Sequence, residues 1–133
     1  MRTTEARAIG SRGYLETGII FLSIVLLILG GLAYLFAPEQ LFLPLGISAG
    51  AEGMVDLRAT YGGSQIGTSL ILCWCLWRPE YRKLALPLLT IAITTVAVSR
   101  GIALVAEQTY TGINLWAFLG ELLAALLAGT LWT

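Results

Sequence analysis

Long apolar runs alternate with short polar segments along the chain. The first run, residues 18–36, reads GIIFLSIVLLILGGLAYLF and carries no charge. The second, residues 59–77, lies between Arg58 and Arg78 and holds more small and polar residues. The third, residues 84–106, contains Arg100, and the fourth, residues 113–132, contains Glu121. A helix of roughly 20 residues, at about 1.5 Å per residue, crosses a hydrocarbon core of about 30 Å. Unbroken runs lack the alternation of a barrel strand, and only a helix satisfies each backbone amide within its own segment. The pattern predicts an all-α integral membrane four-helix bundle. The first run is longer than the roughly 7–15 residues of a secretory signal, and Ala37-Pro38-Glu39 is a poor cleavage site, so it reads as a retained helix.

Composition supports a lipid environment: 57% hydrophobic against 12% charged residues, with mean hydropathy +0.82. No repeat or linker divides the 133 residues, which read as one domain, 1–133. Net charge is zero and the basic residues are scattered, so no nucleic-acid partner is expected.

Arg2, Arg7 and Arg12 precede the first run, and Arg78, Arg82 and Lys83 fill the turn between the second and third. Basic residues of short loops stay on the cytoplasmic side. Both chain ends are therefore expected in the cytoplasm of a bacterial inner (plasma) membrane. The opposite side receives Glu39, Glu52, Asp56 and Glu107. Tyr14, Trp77, Tyr81 and Trp132 would mark the inner interface, and Tyr34, Tyr61, Tyr110 and Trp116 the outer one.

Small residues four apart mark helix contact faces in lipid. Gly63 and Gly67, beside Gly62, form one such face, and Gly120, Ala124 and Ala128 another. Residues 37–57 form a long outer loop whose half LFLPLGISAGA is too apolar to lie free in water. Pro38 and Pro44 interrupt any long helix there, so the loop is expected to lie in the interface or to fold back over the bundle.

Charges inside the spans are the candidate chemistry. Arg100 lies about 24 Å outward along the third span and Glu121 about 12 Å inward along the fourth, so both fall in the outer half. Charges facing lipid are costly, and each is the other's natural partner. Arg58, Tyr61 and Gln65 lie near one helix face at the same depth, so Arg58, Tyr61, Gln65, Arg100, Glu121 and Asp56 are expected to assemble beneath the outer loop. Such a cluster is either a structural ion pair, a polar pocket for a lipid-like, quinone or small anionic ligand, or part of a proton pathway continuing past Thr94 and Thr90.

Catalysis finds little footing, because a chain with no His lacks the commonest general base and metal ligand. No cofactor or metal is implied. Cys73 and Cys75 lie two apart on a helix, point to different faces, and read as buried, unreactive thiols.

The stretch Asp56-Leu57-Arg58-Ala59-Thr60-Tyr61-Gly62-Gly63-Ser64-Gln65-Ile66-Gly67, of the form D-L-R-A-x-Y-G-G-x-Q-x-G, precedes Ser99-Arg100-Gly101 and Glu121. Together they resemble a family of small bacterial four-span membrane proteins of unknown function, and the chain is more loosely similar to DoxX-like four-helix membrane proteins. The resemblance implies a four-helix bundle in which Arg58, Tyr61, Gly62, Gly63, Gln65, Arg100 and Glu121 belong together, and it carries no activity. The expected function is that of a non-enzymatic binding or accessory protein with an outer-half polar pocket. The alternatives are a structural subunit or assembly factor of a larger membrane complex, and a proton-coupled carrier. The expected partners are the lipid bilayer, the pocket's ligand, and a second copy or a partner membrane subunit.

Overall fold

The computed structural model describes the backbone of residues 2–108 and 112–132 and the side chains of residues 13–108 and 112–131. The regular structure among them is entirely helical. Helix α1 runs Arg2–Phe36, α2 Pro38–Phe42, α3 Ala51–Leu57, α4 Ser64–Trp77, α5 Arg82–Ala106 and α6 Ile113–Trp132. A 3₁₀ turn, Leu43–Leu45, follows α2, and a π-helical turn, Arg58–Gly63, joins α3 to α4. Leu57, Arg58, Gly63 and Ser64 all keep right-handed helical backbone angles, so the helical path continues from α3 through α4.

Three helical segments, Gly13–Phe36, Arg82–Ala106 and Ile113–Leu131, are each long and apolar enough to cross a membrane. Only 17%, 22% and 6% of their most apolar stretches are buried within the protein. Side chains such as Phe21, Leu26, Ile102, Val105, Leu123 and Leu126 are exposed. So large an apolar surface is unfavourable in water and natural against lipid, which marks this as a membrane protein. The expected run 59–77 differs from the other three, because the π turn divides it.

Helix α1 packs along α4 and the π turn, α5 packs along α6, and α4 meets α5 between the two pairs. Ile20, Ile24, Leu72, Cys75, Ala85, Leu86, Leu89 and Ala128 form the buried core. The hydroxyls of α4 and its approach are absorbed by their own helix: Ser64 donates to the Thr60 carbonyl, Thr68 to Ser64 and Ser69 to Ile66. Polar residues that return their hydrogen bonds to the backbone are compatible with an apolar surround.

The close approach between α1 and the π turn depends on two glycines. A Cβ on Gly31 would meet Ile66 Cγ1 at 2.7 Å and the Gly62 carbonyl oxygen at 3.0 Å. A Cβ on Gly62 would meet Leu35 Cγ at 2.7 Å and the Gly31 carbonyl oxygen at 3.0 Å. The face seated on α1 is thus Gly62, Ile66 and Ser69, and the expected face of Gly63 and Gly67 is not used: neither has any atom within 4 Å of an added Cβ. Adjacent residues on a helix point about 100° apart, so seating Gly62 turns Gly63 away.

Helix α6 shows a similar offset. Ala125 and Ala128 are buried, while Gly120 and Ala124 are exposed. Its rotation is set by Glu121, which must face α5.

The expected outer loop is partly helical and folds back over the bundle. Pro38 opens α2 at a position where no N–H is needed, and Pro38 and Phe42 are buried. Gly46, with φ +73°, closes the 3₁₀ turn in the left-handed region, its amide donating to the Leu43 carbonyl. Tyr34 and Tyr61, with Phe42, form a ring cluster with centroids 5.2–5.4 Å apart. Cys75 is buried as expected, whereas Cys73 is exposed. Tyr110 and the Trp132 side chain lie outside the described residues.

If this glycine contact sets the α1 to α4 distance, Gly31→Ala and Gly62→Ala should each destabilise the protein by about 1–3 kcal/mol through overpacking. Gly67→Ala should be neutral or slightly stabilising, since it meets open space and removes a flexible residue from a helix. Unfolding of the three variants in mixed detergent micelles checks this, and equal effects at Gly62 and Gly67 would contradict it.

Candidate functional site

The polar residues singled out in the sequence lie on α3 (Asp56), the π turn (Arg58 and Tyr61), α4 (Gln65), α5 (Arg100) and α6 (Glu121). The structure separates these residues into two groups.

In the first group, Arg58 Nη1 donates to the Leu35 carbonyl at 2.6 Å. Leu35 lies in the last turn of α1, where carbonyls have lost their helical donors and the helix dipole is negative. Arg58 therefore acts as a C-terminal cap for α1, delivered from the π turn. Gln65 belongs to this group, for its amide oxygen lies over Gly30, where a Cβ would sit.

In the second group, Arg100 Nε donates to Glu121 Oε2 and Nη2 to Oε1, both at 2.9 Å. This two-point geometry is the strong form of a guanidinium–carboxylate pair. Nη1 donates to Asn114 Oδ1 at 3.0 Å. The pair is half-buried, the two side chains being 31% and 23% exposed. Gly101 lets the ring of Phe118 approach α5, its nearest atom 3.1 Å from an added Cβ.

Tyr61 connects the two groups. Its ring belongs to the cluster with Tyr34 and Phe42, and it also lines a cavity of about 580 Å³ with Thr95, Ser99, Arg100, Glu107 and Asn114. Val96, Ala103 and Leu104 give this cavity its apolar wall. Asp56 lies exposed on α3 and joins neither group. Thus Arg58, expected beside Arg100, caps the end of α1 instead, and Gln65 lies against Gly30 of the same helix.

The arrangement has a definite electrostatic consequence. Glu121 cancels the charge of Arg100, so the guanidinium that lines the cavity brings no net charge to it. The three bonds use one N–H of each guanidinium nitrogen, and the second N–H of Nη1 and of Nη2 remains available to a neighbouring acceptor. A charged anion would compete with Glu121 for Arg100, whereas a neutral carbonyl or ester oxygen could accept from it without breaking the pair.

Asn114 was not among the expected site residues, although its position carries a signal. It lies seven residues before Glu121, two helical turns along the same face. The role of the α1 end had no comparable signal, because the acceptor is a backbone carbonyl.

The fold and site define a helical membrane protein that holds a neutral, hydrogen-bonded ion pair beside a mixed polar and apolar cavity. The chain belongs to the family described as Domain of unknown function (DUF4345), whose model matches residues 15–132. Neither the curated proteins nor the solved structures return a match. The comparisons carry no support for the second-helix motif as a signature or for the likeness to DoxX-like proteins.

Breaking one partner of the pair leaves the other charge uncompensated. Arg100→Met and Glu121→Leu should each destabilise the protein, and the double variant should lose less than their sum, with a coupling of about 1–3 kcal/mol. A double-mutant cycle from equilibrium unfolding measures it, and simple additivity would contradict the pairing.

Proposed function

We propose that this protein is a small, non-enzymatic binding or accessory protein of the bacterial inner membrane, and that the cavity beside Arg100 takes a lipid-like or quinone-like molecule with an uncharged polar head. The single observation behind this reading is that cavity of about 580 Å³. It combines the hydroxyls of Tyr61 and Ser99, the Asn114 amide and the spare N–H groups of Arg100 with an apolar wall. Binding sites for small amphiphiles have this composition: mostly apolar, with a few convergent polar groups.

The same proposal includes four crossings in a four-helix bundle, with both ends cytoplasmic. The six-residue π turn and the 14-residue α4 together span roughly 30 Å at a helical rise, enough for the fourth crossing. Gly13, Arg82, Lys83 and Leu131 border a common cavity, so the start of the first crossing, the turn after α4 and the end of α6 lie at one end of the bundle. Six of the eight basic residues, Arg2, Arg7, Arg12, Arg78, Arg82 and Lys83, belong to the segments at or before that end.

A structural subunit or assembly factor is the second reading, favoured by a different observation. Among the described residues no buried side-chain polar atom lacks a hydrogen bond, as expected of a network that serves packing alone.

The two readings differ in what copurifies. Native mass spectrometry of the protein, gently extracted from its own membrane, should find a bound mass of lipid or quinone size. Ala103→Phe, which fills the cavity and leaves both residues of the ion pair in the sequence, should lose that mass while keeping its helix content. Bare protein in both cases would overturn the binding reading, and a retained partner chain would favour the structural one.

A further inference from the structure

A second cavity, of about 730 Å³, lies at the opposite end of the bundle between α1 and α5, with Leu131 of α6 at its edge. We propose that it seats the phosphate headgroup of an anionic phospholipid, with Arg82 and Lys83 as the phosphate-binding side chains. The proposal rests on α1 and α5 lying in a membrane and does not depend on the outer cavity.

The lining changes character with depth as a phospholipid does. Tyr14 and Thr17 of α1 and Arg82 and Lys83 of α5 border it at the helix ends, while Ile20 and Leu86 line it about one turn further in. A phosphate at the level of the basic residues would therefore place its acyl chains along an apolar wall. Tyr14 is 84% exposed, as a ring at headgroup level should be.

Charge complementarity favours the same occupant. The lining holds Arg82 and Lys83 against Glu16, a net of one positive charge. Among the described residues neither basic side chain has a hydrogen bond or an ion pair, whereas Arg78, nearby in sequence, pairs with Glu80 at 3.9 Å and lies over the Trp77 ring. Two uncommitted cations at a membrane surface both favour an anionic lipid over a neutral one. Guanidinium and ammonium together also suit a phosphate, the first as a two-point donor and the second as a compact charge.

The test uses the full chain in micelles offered phosphatidylglycerol and phosphatidylcholine in equal amounts, with retained lipid read by native mass spectrometry. Wild type should retain phosphatidylglycerol preferentially. The Arg82→Gln, Lys83→Gln double variant should lower that preference by on the order of tenfold. Arg78→Gln, outside the cavity, should change it by less than about twofold. Equal retention of both lipids by wild type, or a preference unmoved by the double variant, would overturn the proposal. Displacement of phosphatidylglycerol by millimolar inorganic phosphate would overturn it in favour of a free-anion site.

Discussion

An ionised group inside a membrane must be compensated by its own protein, and most of the outer half of this molecule follows from how Arg100 and Glu121 meet that constraint. The two-point pairing determines which face of α6 turns toward α5. That rotation buries Ala125 and Ala128, turns Gly120 and Ala124 outward, and brings Asn114 to the free edge of the guanidinium. Gly101 lets Phe118 fill the space beside the pair. Electrostatics therefore sets the register of two helices, and packing of small residues follows from it.

The α1–α4 pair, at the same end of the bundle, solves a related problem by different means. A helix that ends near a membrane surface leaves carbonyls without donors. Here the end of α1 is completed by Arg58, carried on a π turn. A π turn places one more residue in the helical circuit than an α turn would, which displaces the side chains on either side of it. In this protein it seats Gly62 against Gly31, brings Arg58 to the Leu35 carbonyl and sets the Tyr61 ring against Tyr34 and Phe42. Such turns are frequent at functional sites, and Tyr61 borders the outer cavity.

How much of this was legible in the sequence follows from which features have a side-chain signature. Apolar runs do, so α5, α6 and the end of α1 lie close to the segments expected, while α1 extends well before its apolar run, to Arg2, and the pairing of Arg100 with Glu121 could be inferred from depth alone. The π turn has none: Arg58–Gly63 differs from α-helix only in hydrogen-bond register, and without it Gly63 and Gly67 look like the contact face. The partner of Arg58 was hidden for the same reason, being the Leu35 carbonyl, and depth along the membrane could not separate it from Arg100. The apolar outer loop did signal that it packs, but not that Phe42 would close a ring cluster with Tyr34 and Tyr61.

The central claim is that the helical path from Ala51 to Trp77 crosses the membrane as a fourth span despite its π turn. Accessibility of single cysteines introduced at Ser48 and Glu80, in a background with Cys73 and Cys75 replaced by serine, measures it directly. Labelling of the two positions from opposite faces of sealed vesicles, with Glu80 on the same side as both chain ends, is the expected result. Labelling of both from the same face would mean that this segment does not cross, and would contradict the account.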